Sequence, residues 1–328
     1  MTILLTGGSG FLGSHIAEQL SAAGKDVRVL VRKTSNTKFL RQLPHVTLVE
    51  GRMNDKASLV NAVQDVSSVI HAAGLVKAKT PAEFHRVNAS GTSLLLDAIR
   101  EGCPSLKRFV LVSSLACIGP SQDGRPVTIN TPPNPVTHYG RSKLAGERAV
   151  LARKEEIPVT ILRPPMIYGP RDVEVLPFFR SVKLGVLPYM GSSSRGLSTI
   201  YGPDAAAACI QACEAGVPSG KAYFLEDGHT RSFGELVADI ERALGKRAKL
   251  RLPIPRRVLQ VAALGSELYG KATDKPVMLT RDKCNELFAP HWVCDASRTR
   301  ADLGWEPKVS FEVGARLTAE WYKSEGWL

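Results

Sequence analysis

The chain has 328 residues, a length that suits one large α/β domain or a core domain with a smaller second lobe. Its 44% hydrophobic and 23% charged residues are an ordinary globular composition, with enough apolar side chains for a sizeable core. A net charge of +12, from 43 basic and 31 acidic residues, favours anionic partners, but without zinc-finger spacing or an aromatic-rich RNA-binding signature nucleic acid is excluded.

No stretch of about 18 apolar residues is present, so no spanning helix is expected. The chain opens directly on an apolar run, with no charged and then apolar leader, which gives the expectation of a cytoplasmic protein. The six cysteines, Cys103, Cys117, Cys209, Cys213, Cys284 and Cys294, form no CxxC pair. Cys209 and Cys213 could share a helix face, but no histidine lies nearby to complete a metal site. Buried free thiols and no metal are expected.

In chain order, strands are expected at Ile3–Thr6, Val27–Val31, Val46–Glu50, Ser68–His71, Arg108–Ser113 and Val159–Arg163. Helical patterns fall between them near Leu12–Ala23, Asn36–Gln42, Lys56–Asp65, Pro81–Glu101 and Tyr139–Lys154. Apolar runs separated by helices indicate a doubly wound parallel sheet of Rossmann type, α/β in class. After Arg163 the pattern loosens, with Pro and Gly clustered in Pro164–Pro177 and Gly185–Gly202. One more strand is expected at Ala222–Leu225, and helices at Ser232–Leu244, Val258–Leu268, Asp295–Leu303 and Phe311–Lys323. The expected organisation is a dinucleotide-binding domain of residues 1–164 with 197–228, and a smaller, mainly helical substrate lobe of residues 165–196 with 229–328.

Thr6–Gly13, read Thr-Gly-Gly-Ser-Gly-Phe-Leu-Gly, follows the first strand and opens the first helix. Gly7, Gly10 and Gly13 let the backbone turn tightly and approach a pyrophosphate, and the helix start at Phe11 and Leu12 offers unpaired N–H groups to the anion. At the end of the second strand, where an NAD site usually places a carboxylate, stand Val31, Arg32 and Lys33. Arg32 can pair with a 2′-phosphate through its planar fork and Lys33 adds charge, so NADP(H) is expected in preference to NAD(H). Tyr139 and Lys143 are four apart and share a helix face. An ammonium near the phenol, together with an oxidised nicotinamide, would favour the phenolate, which can take the proton of a substrate hydroxyl while hydride leaves its carbon.

Together with His71-Ala-Ala-Gly74, Val87–Thr92, Val112-Ser-Ser114 and Arg163–Pro170, these motifs stand in the order and spacing of a known group. The chain resembles the extended short-chain dehydrogenase/reductases, of the NAD-dependent epimerase/dehydratase type, over roughly residues 1–230. The resemblance implies that Ser114, rather than Ser113, bonds the substrate oxygen, that Tyr139 is the acid/base and that Lys143 holds the nicotinamide ribose. It implies that Ala72, Ala73 and Gly74 line the diphosphate–ribose path, that Asn88 orients backbone beside the cofactor, and that Pro165 and Met166 pack near the carboxamide. Where the family often has Asp after Gly51 this chain has Arg52 and then Met53, so the adenine contact differs; Arg52 can stack on the adenine or reach the 2′-phosphate.

Leu115 and Ala116 stand where sugar-nucleotide dehydratases resemble one another in an Asp-Glu pair, so water elimination is not expected. Sugar-nucleotide 4-epimerases, which retain NAD, often carry an Asn where this chain has Pro164-Pro165-Met166. The remaining resemblance is to the 3β-hydroxysteroid dehydrogenase, dihydroflavonol reductase and sterol-4-carboxylate dehydrogenase branch, which implies a bulky, apolar alcohol or ketone as the small-molecule substrate. Leu115, Ile118, Met166, Val175, Leu176, Phe178, Phe179, Leu187 and Tyr189 are candidate pocket walls. A non-catalytic dinucleotide sensor is the third reading, disfavoured because Ser114, Tyr139 and Lys143 are all present. Analogy with the family also allows a homodimer through the helices of Pro81–Glu101 and Tyr139–Lys154. Finally, Lys246, Arg247, Lys249, Arg251, Arg256 and Arg257 precede the apolar Val258–Leu268, a pattern that gives at most weak peripheral contact with an anionic membrane.

Overall fold

The computed structural model describes residues 1–328. The chain runs through β1 (Thr2–Thr6), α1 (Phe11–Ala22), β2 (Asp26–Val31), β3 (Val46–Glu50), α2 (Lys56–Val63), β4 (Val66–His71), α3 (Pro81–His85), α4 (Gly91–Gly102), β5 (Arg108–Val112), α5 (His138–Leu151) and β6 (Val159–Arg163). It continues through β7 (Met166–Tyr168), α6 (Leu176–Lys183), β8 (Val186–Tyr189), β9 (Gly196–Leu197), β10 (Thr199–Tyr201), α7 (Gly202–Glu214), β11 (Lys221–Phe224), β12 (Arg231–Ser232), α8 (Phe233–Leu244), β13 (Leu250–Pro253), α9 (Arg256–Thr273), α10 (Arg281–Leu287), α11 (Ser297–Leu303) and α12 (Phe311–Ser324).

Seven strands form one parallel sheet in the order β3-β2-β1-β4-β5-β6-β11. Alternate residues of each strand feed opposite faces, which is why the strands read as nearly continuous apolar runs. Ile3, Leu5, Val27, Val29, Val110, Val112 and Leu162 pack against α1 and α7 on one side. Leu4, Leu30, Val69, Phe109, Leu111, Val159 and Ile161 pack against α2, α4 and α5 on the other. Each fully buried aliphatic or phenyl side chain there contributes about 1.5–3 kcal/mol. The strand order reverses between β1 and β4, and a sheet with that reversal opens a crevice at the carboxyl ends of its strands.

A third cluster, built from α6, α8 and α12 around Tyr168, Phe179, Leu236, Phe311 and Tyr322, forms the helical lobe. The strand pair β7–β10 links lobe and sheet. Before α12 the chain returns to the sheet: Leu303 and Trp305 pack in the first cluster, and Thr299 donates to the Phe224 carbonyl. All six cysteines are free, and all but Cys213 are buried.

Five stretches differ from the sequence reading. Asn36–Gln42 is not a helix but a loop ending in a single 3₁₀ turn at Leu40–Gln42. There the Asn36 and Thr37 side chains bond Lys38 N–H and Arg41, competing with helical pairing. The helix expected over Pro81–Glu101 is interrupted by a π-helical turn, Arg86–Ser90. Helices α6, α7 and α10 stand where no element was assigned from the sequence, the first two opening on a proline in the first turn.

Candidate active site

The site grows from the sheet's crevice. Gly7 sits at φ +77°, and a Cβ there would lie 2.6 Å from Ala73 N, so β1 and β4 can release their loops side by side only with glycine. A Cβ on Gly13 would lie 2.1 Å from the Gly7 carbonyl oxygen, which seats the helix directly on the turn. Gly10 caps α1 without any side-chain hydrogen bond, leaving the N–H groups of the first turn to an incoming anion. Phe11 and Leu12 sit half-buried in that turn. These features fit a dinucleotide diphosphate.

Beneath the cradle lies a buried polar chain that sequence reasoning missed. Ala73 N–H donates to Thr6 Oγ1 at 3.3 Å, Thr6 Oγ1 pairs with His71 Nδ1 at 2.6 Å, His71 Nε2 pairs with Thr92 Oγ1 at 2.9 Å, and Thr92 donates to the Asn88 carbonyl at 2.9 Å. The two ends fix the direction: Thr92 gives its proton to Asn88, so His71 Nε2 must be the donor and Nδ1 the acceptor. Burial, helped by the charge of Lys143, lowers the His71 pKa to about 3 and keeps the ring neutral. The signal in the sequence is the pairing of Thr6 and His71 at the ends of adjacent parallel strands.

Asn88 lies in the π-helical turn and is 3% exposed. Its carboxamide accepts from Leu75 N–H at 2.7 Å and donates to Leu75 O at 3.0 Å and Ser142 Oγ at 2.9 Å. It therefore shapes the segment after Gly74 rather than offering its amide to a cofactor. Gly146 allows this contact, since a Cβ there would lie 2.5 Å from Asn88 O. Ala72, Ala73 and Gly74 line the same edge, with Gly74 next to Asn88 Oδ1 and Lys143 Nζ.

Thr137 caps α5, accepting from Gly140 N–H at 3.1 Å, and so sets Tyr139 in the first turn and Lys143 one turn later. Lys143 Nζ donates to the Val112 carbonyl at 2.6 Å, and burial lowers its pKa to about 8. Tyr139 retains partial solvent access, yet its surroundings push its pKa up to about 12. Burial is the largest cause; a hydrogen bond with Ser114 pulls the other way, and the charges of Glu286 and Cys117 add to the rise. The tendency toward phenolate expected from the sequence is thus outweighed in the protein alone, and the phenol holds its proton at neutral pH. Ser114 is half-buried, whereas Ser113 is 3% exposed. Leu115 N–H donates to the Pro164 carbonyl at 2.8 Å, which fastens the Ser114 loop beside Pro165 and Met166. Pro165 is half-buried and Met166 exposed.

One turn beyond Lys143, Glu147 accepts from Arg163 Nε at 2.9 Å and Nη2 at 2.7 Å, and from Cys117 Sγ at 3.0 Å. This buried, bidentate pair locks α5 to the end of β6.

At the far end of the crevice Arg32, Lys33 and Arg52 are exposed and no carboxylate pairs with any of them. Met53 instead packs on the second core cluster. Of the candidate pocket walls, Leu115, Ile118, Leu176, Phe179 and Leu187 are buried in the core clusters and are not walls. Met166, Val175, Phe178 and Tyr189 keep surface to offer a ligand. Sequence reasoning also missed Arg195, 9% exposed over the Phe233 ring, whose Nε has no hydrogen-bond partner.

Residues 3–225 match the model of the NAD dependent epimerase/dehydratase family. The chain is 33% identical to a ceramide reductase of Caulobacter vibrioides (strain NA1000 / CB15N), over 99% of this chain and 96% of that one. It is 30% identical to a 2-alkyl-3-oxoalkanoate reductase of Stenotrophomonas maltophilia (strain K279a), over 96% and 98% respectively. Among solved structures, the UDP-glucose 4-epimerase of Thermotoga maritima with UDP-glucose gives a TM-score of 0.80 at 23% identity, covering 99% of each chain, which is a likeness of fold.

Proposed function

Because the chain belongs to the NAD dependent epimerase/dehydratase family, we propose that this NAD-dependent oxidoreductase reduces the ketone of a bulky, apolar molecule to a secondary alcohol, with NADP(H) preferred. The observation that carries the reading is the hydrogen bond between Ser114, just after β5, and Tyr139 in the first turn of α5, with Lys143 one turn further along that helix on the Val112 carbonyl and the phenol protonated. Reduced nicotinamide, when bound, supplies the hydride. Ser114 would orient the carbonyl oxygen, Tyr139 would hand that oxygen its proton, and Lys143 would hold the ribose while its ammonium stabilises the phenolate left behind. Two relatives at 30% identity or more are reductases, one of a ceramide and one of a 2-alkyl-3-oxoalkanoate, both molecules built on alkyl chains. The unpaired Arg32, Lys33 and Arg52 support the preference for a 2′-phosphate.

A second reading, sugar-nucleotide 4-epimerisation with retained NAD, is favoured by one observation. Arg195 is a buried guanidinium with no carboxylate beside it, its Nη1 on the Leu287 carbonyl, and a shift of α10 would free it for an anionic substrate group. The deciding experiment measures NADPH and NADH oxidation against a panel of steroid, flavonoid-like and long-chain acyl ketones, with a sugar-nucleotide epimerase assay alongside. Turnover of an apolar ketone with NADPH supports the first reading; inseparable co-purified NAD with epimerase activity replaces it.

A further inference from the structure

Helix α9 spans Arg256–Thr273, yet only Ala263 and Gly270 are buried along its 18 residues. Those two lie seven apart, on the side that faces the protein. The outward side is apolar: Val258 is 56% exposed, Val261 72%, Leu264 42%, Leu268 57% and Tyr269 60%. Spacings of three and four gather Val258, Val261, Leu264 and Leu268 into one stripe, and Tyr269 flanks it beside Leu268. Directly before the helix, β13 leaves Leu250 and Leu252 exposed on one strand face, and its partner in register with Leu250 is the exposed Val186 of β8. The result is an apolar stripe along α9, with further exposed apolar side chains on the strand pair that leads into it, well beyond the scattered singles of an ordinary surface.

The unpaired charges around this run have one sign. Lys246, Arg247, Lys249 and Arg257 are exposed without a carboxylate partner, whereas Arg251 is tied to Glu241 and Arg256 to Asn285. The only carboxylate within α9, Glu267, is turned away and held by Arg281. Asp274, at the C-terminal end of α9, is paired with Lys79 at 2.6 Å, so the unpaired charges flanking the stripe are cations, complementary to an anionic bilayer: acyl chains for the stripe, lipid phosphates for the rim. No helix is long and apolar enough to cross a membrane, so the geometry is that of a helix lying in the interface.

We propose that α9 with β13 is a peripheral docking surface for an anionic lipid bilayer. The surface sits one helix away from the acid/base. Helix α10 is fastened to α9 by Glu267–Arg281 and Arg256–Asn285, and its Asp282 accepts from His138 N–H, next to Tyr139, at 2.8 Å. Docking would thus hold the N-terminus of α5 close to the lipid from which an apolar substrate is drawn. Docking depends on this surface alone and not on the ketone chemistry.

The test is sedimentation of the full chain with vesicles of phosphatidylcholine plus phosphatidylglycerol, and of phosphatidylcholine alone, at low salt. Two variants run beside it: Val261→Glu with Leu268→Glu, and Lys246→Glu with Arg247→Glu and Lys249→Glu. All five positions are exposed, so thermal melting and NADPH binding should be unchanged and serve as the folding control. The expected result is pelleting with the anionic vesicles only, release by salt, loss of pelleting in the apolar variant, and a fall on the order of a hundredfold or more in partition for the charge variant. The proposal is overturned if the unmodified protein stays in the supernatant or if the apolar variant pellets equally well. It is equally overturned if the stripe proves to be a dimer interface, seen as a lipid-free dimer that the same two substitutions dissolve.

Discussion

Asn88 and Ser142 share a 2.9 Å hydrogen bond that joins the π-helical turn to the helix carrying Tyr139 and Lys143. The same carboxamide closes both backbone groups of Leu75, so Asn88→Ala would strand buried polar atoms at a cost of about 1–3 kcal/mol. The expected outcome is a lower melting temperature and a kcat reduced more than NADPH affinity, because α5 loses its register with the crevice. Stopped-flow NADPH binding beside steady-state rates separates the two; equal losses would reduce Asn88 to a stability role.

Tyr139→Phe removes the phenolic hydroxyl, and with it the proton it donates and its hydrogen bond with Ser114. NADPH binding and melting temperature should hold, while ketone reduction falls by about 10²–10⁴-fold, the usual contribution of a positioned general acid. Unchanged turnover would refute the assigned role.

The two directions of the reaction should differ in pH dependence. With Tyr139 pushed up to about 12, the phenol stays protonated across the neutral range, so reduction has no Tyr139 titration there. Alcohol oxidation needs the phenolate and should rise about tenfold per pH unit until bound oxidised dinucleotide has brought that group into its ionised form. Lys143, lowered to about 8, loses its ammonium as the pH climbs past that value, so kcat/KM for reduction should decline above it. A reduction profile that climbs from pH 7 to pH 9 contradicts both assignments.

His71 makes acid stability predictable in sign. Its folded pKa of about 3 lies below the ordinary 6.5, so on acidification the unfolded chain takes up the proton first. Its contribution is complete above pH 6.5 and is eroded as the pH falls toward 3, with a slope of up to about 1.4 kcal/mol per unit. Denaturant melts of the protein and of His71→Asn between pH 4 and pH 8 check this. The variant should be less stable at pH 8 but should lose less stability on acidification.

Arg32→Asp exchanges the fork for a carboxylate at the end of β2. KM for NADPH should rise about 10- to 100-fold and KM for NADH should hold or fall. Equal shifts for both cofactors would detach Arg32 from the 2′-phosphate.

The sheet was legible because strands buried on both faces write themselves as apolar runs, and the glycine turn because its spacing follows directly from β1. Ser114, Tyr139 and Lys143 were singled out from spacing set by a shared family, and they stand just after β5 and in the first two turns of α5. The π-helical turn was not, because its register is set by Asn88 reaching Leu75 and Ser142 and by the bare Cα of Gly146, contacts that no local pattern records. Helix α7 was hidden for the opposite reason. Its Ala205–Cys209 core is apolar almost all round, so it lacks amphipathic periodicity, and its Gly202-Pro203 start resembles a turn. The pocket walls were over-counted because apolar residues beside a site and apolar residues beneath it look alike in sequence.

The free thiols give the enzyme a built-in clock. Five of the six are buried and each of the six has its pKa raised by desolvation, so a maleimide dye at neutral pH meets almost no thiolate at those five while the chain stays closed. Labelling then proceeds at the rate of structural opening. Cys117 reports the core beside Lys143, Cys209 the layer beneath the cradle, and Cys284 the α10 joint. Mass spectrometry of labelled peptides would rank those regions by how often they breathe, and show which of them dinucleotide quiets.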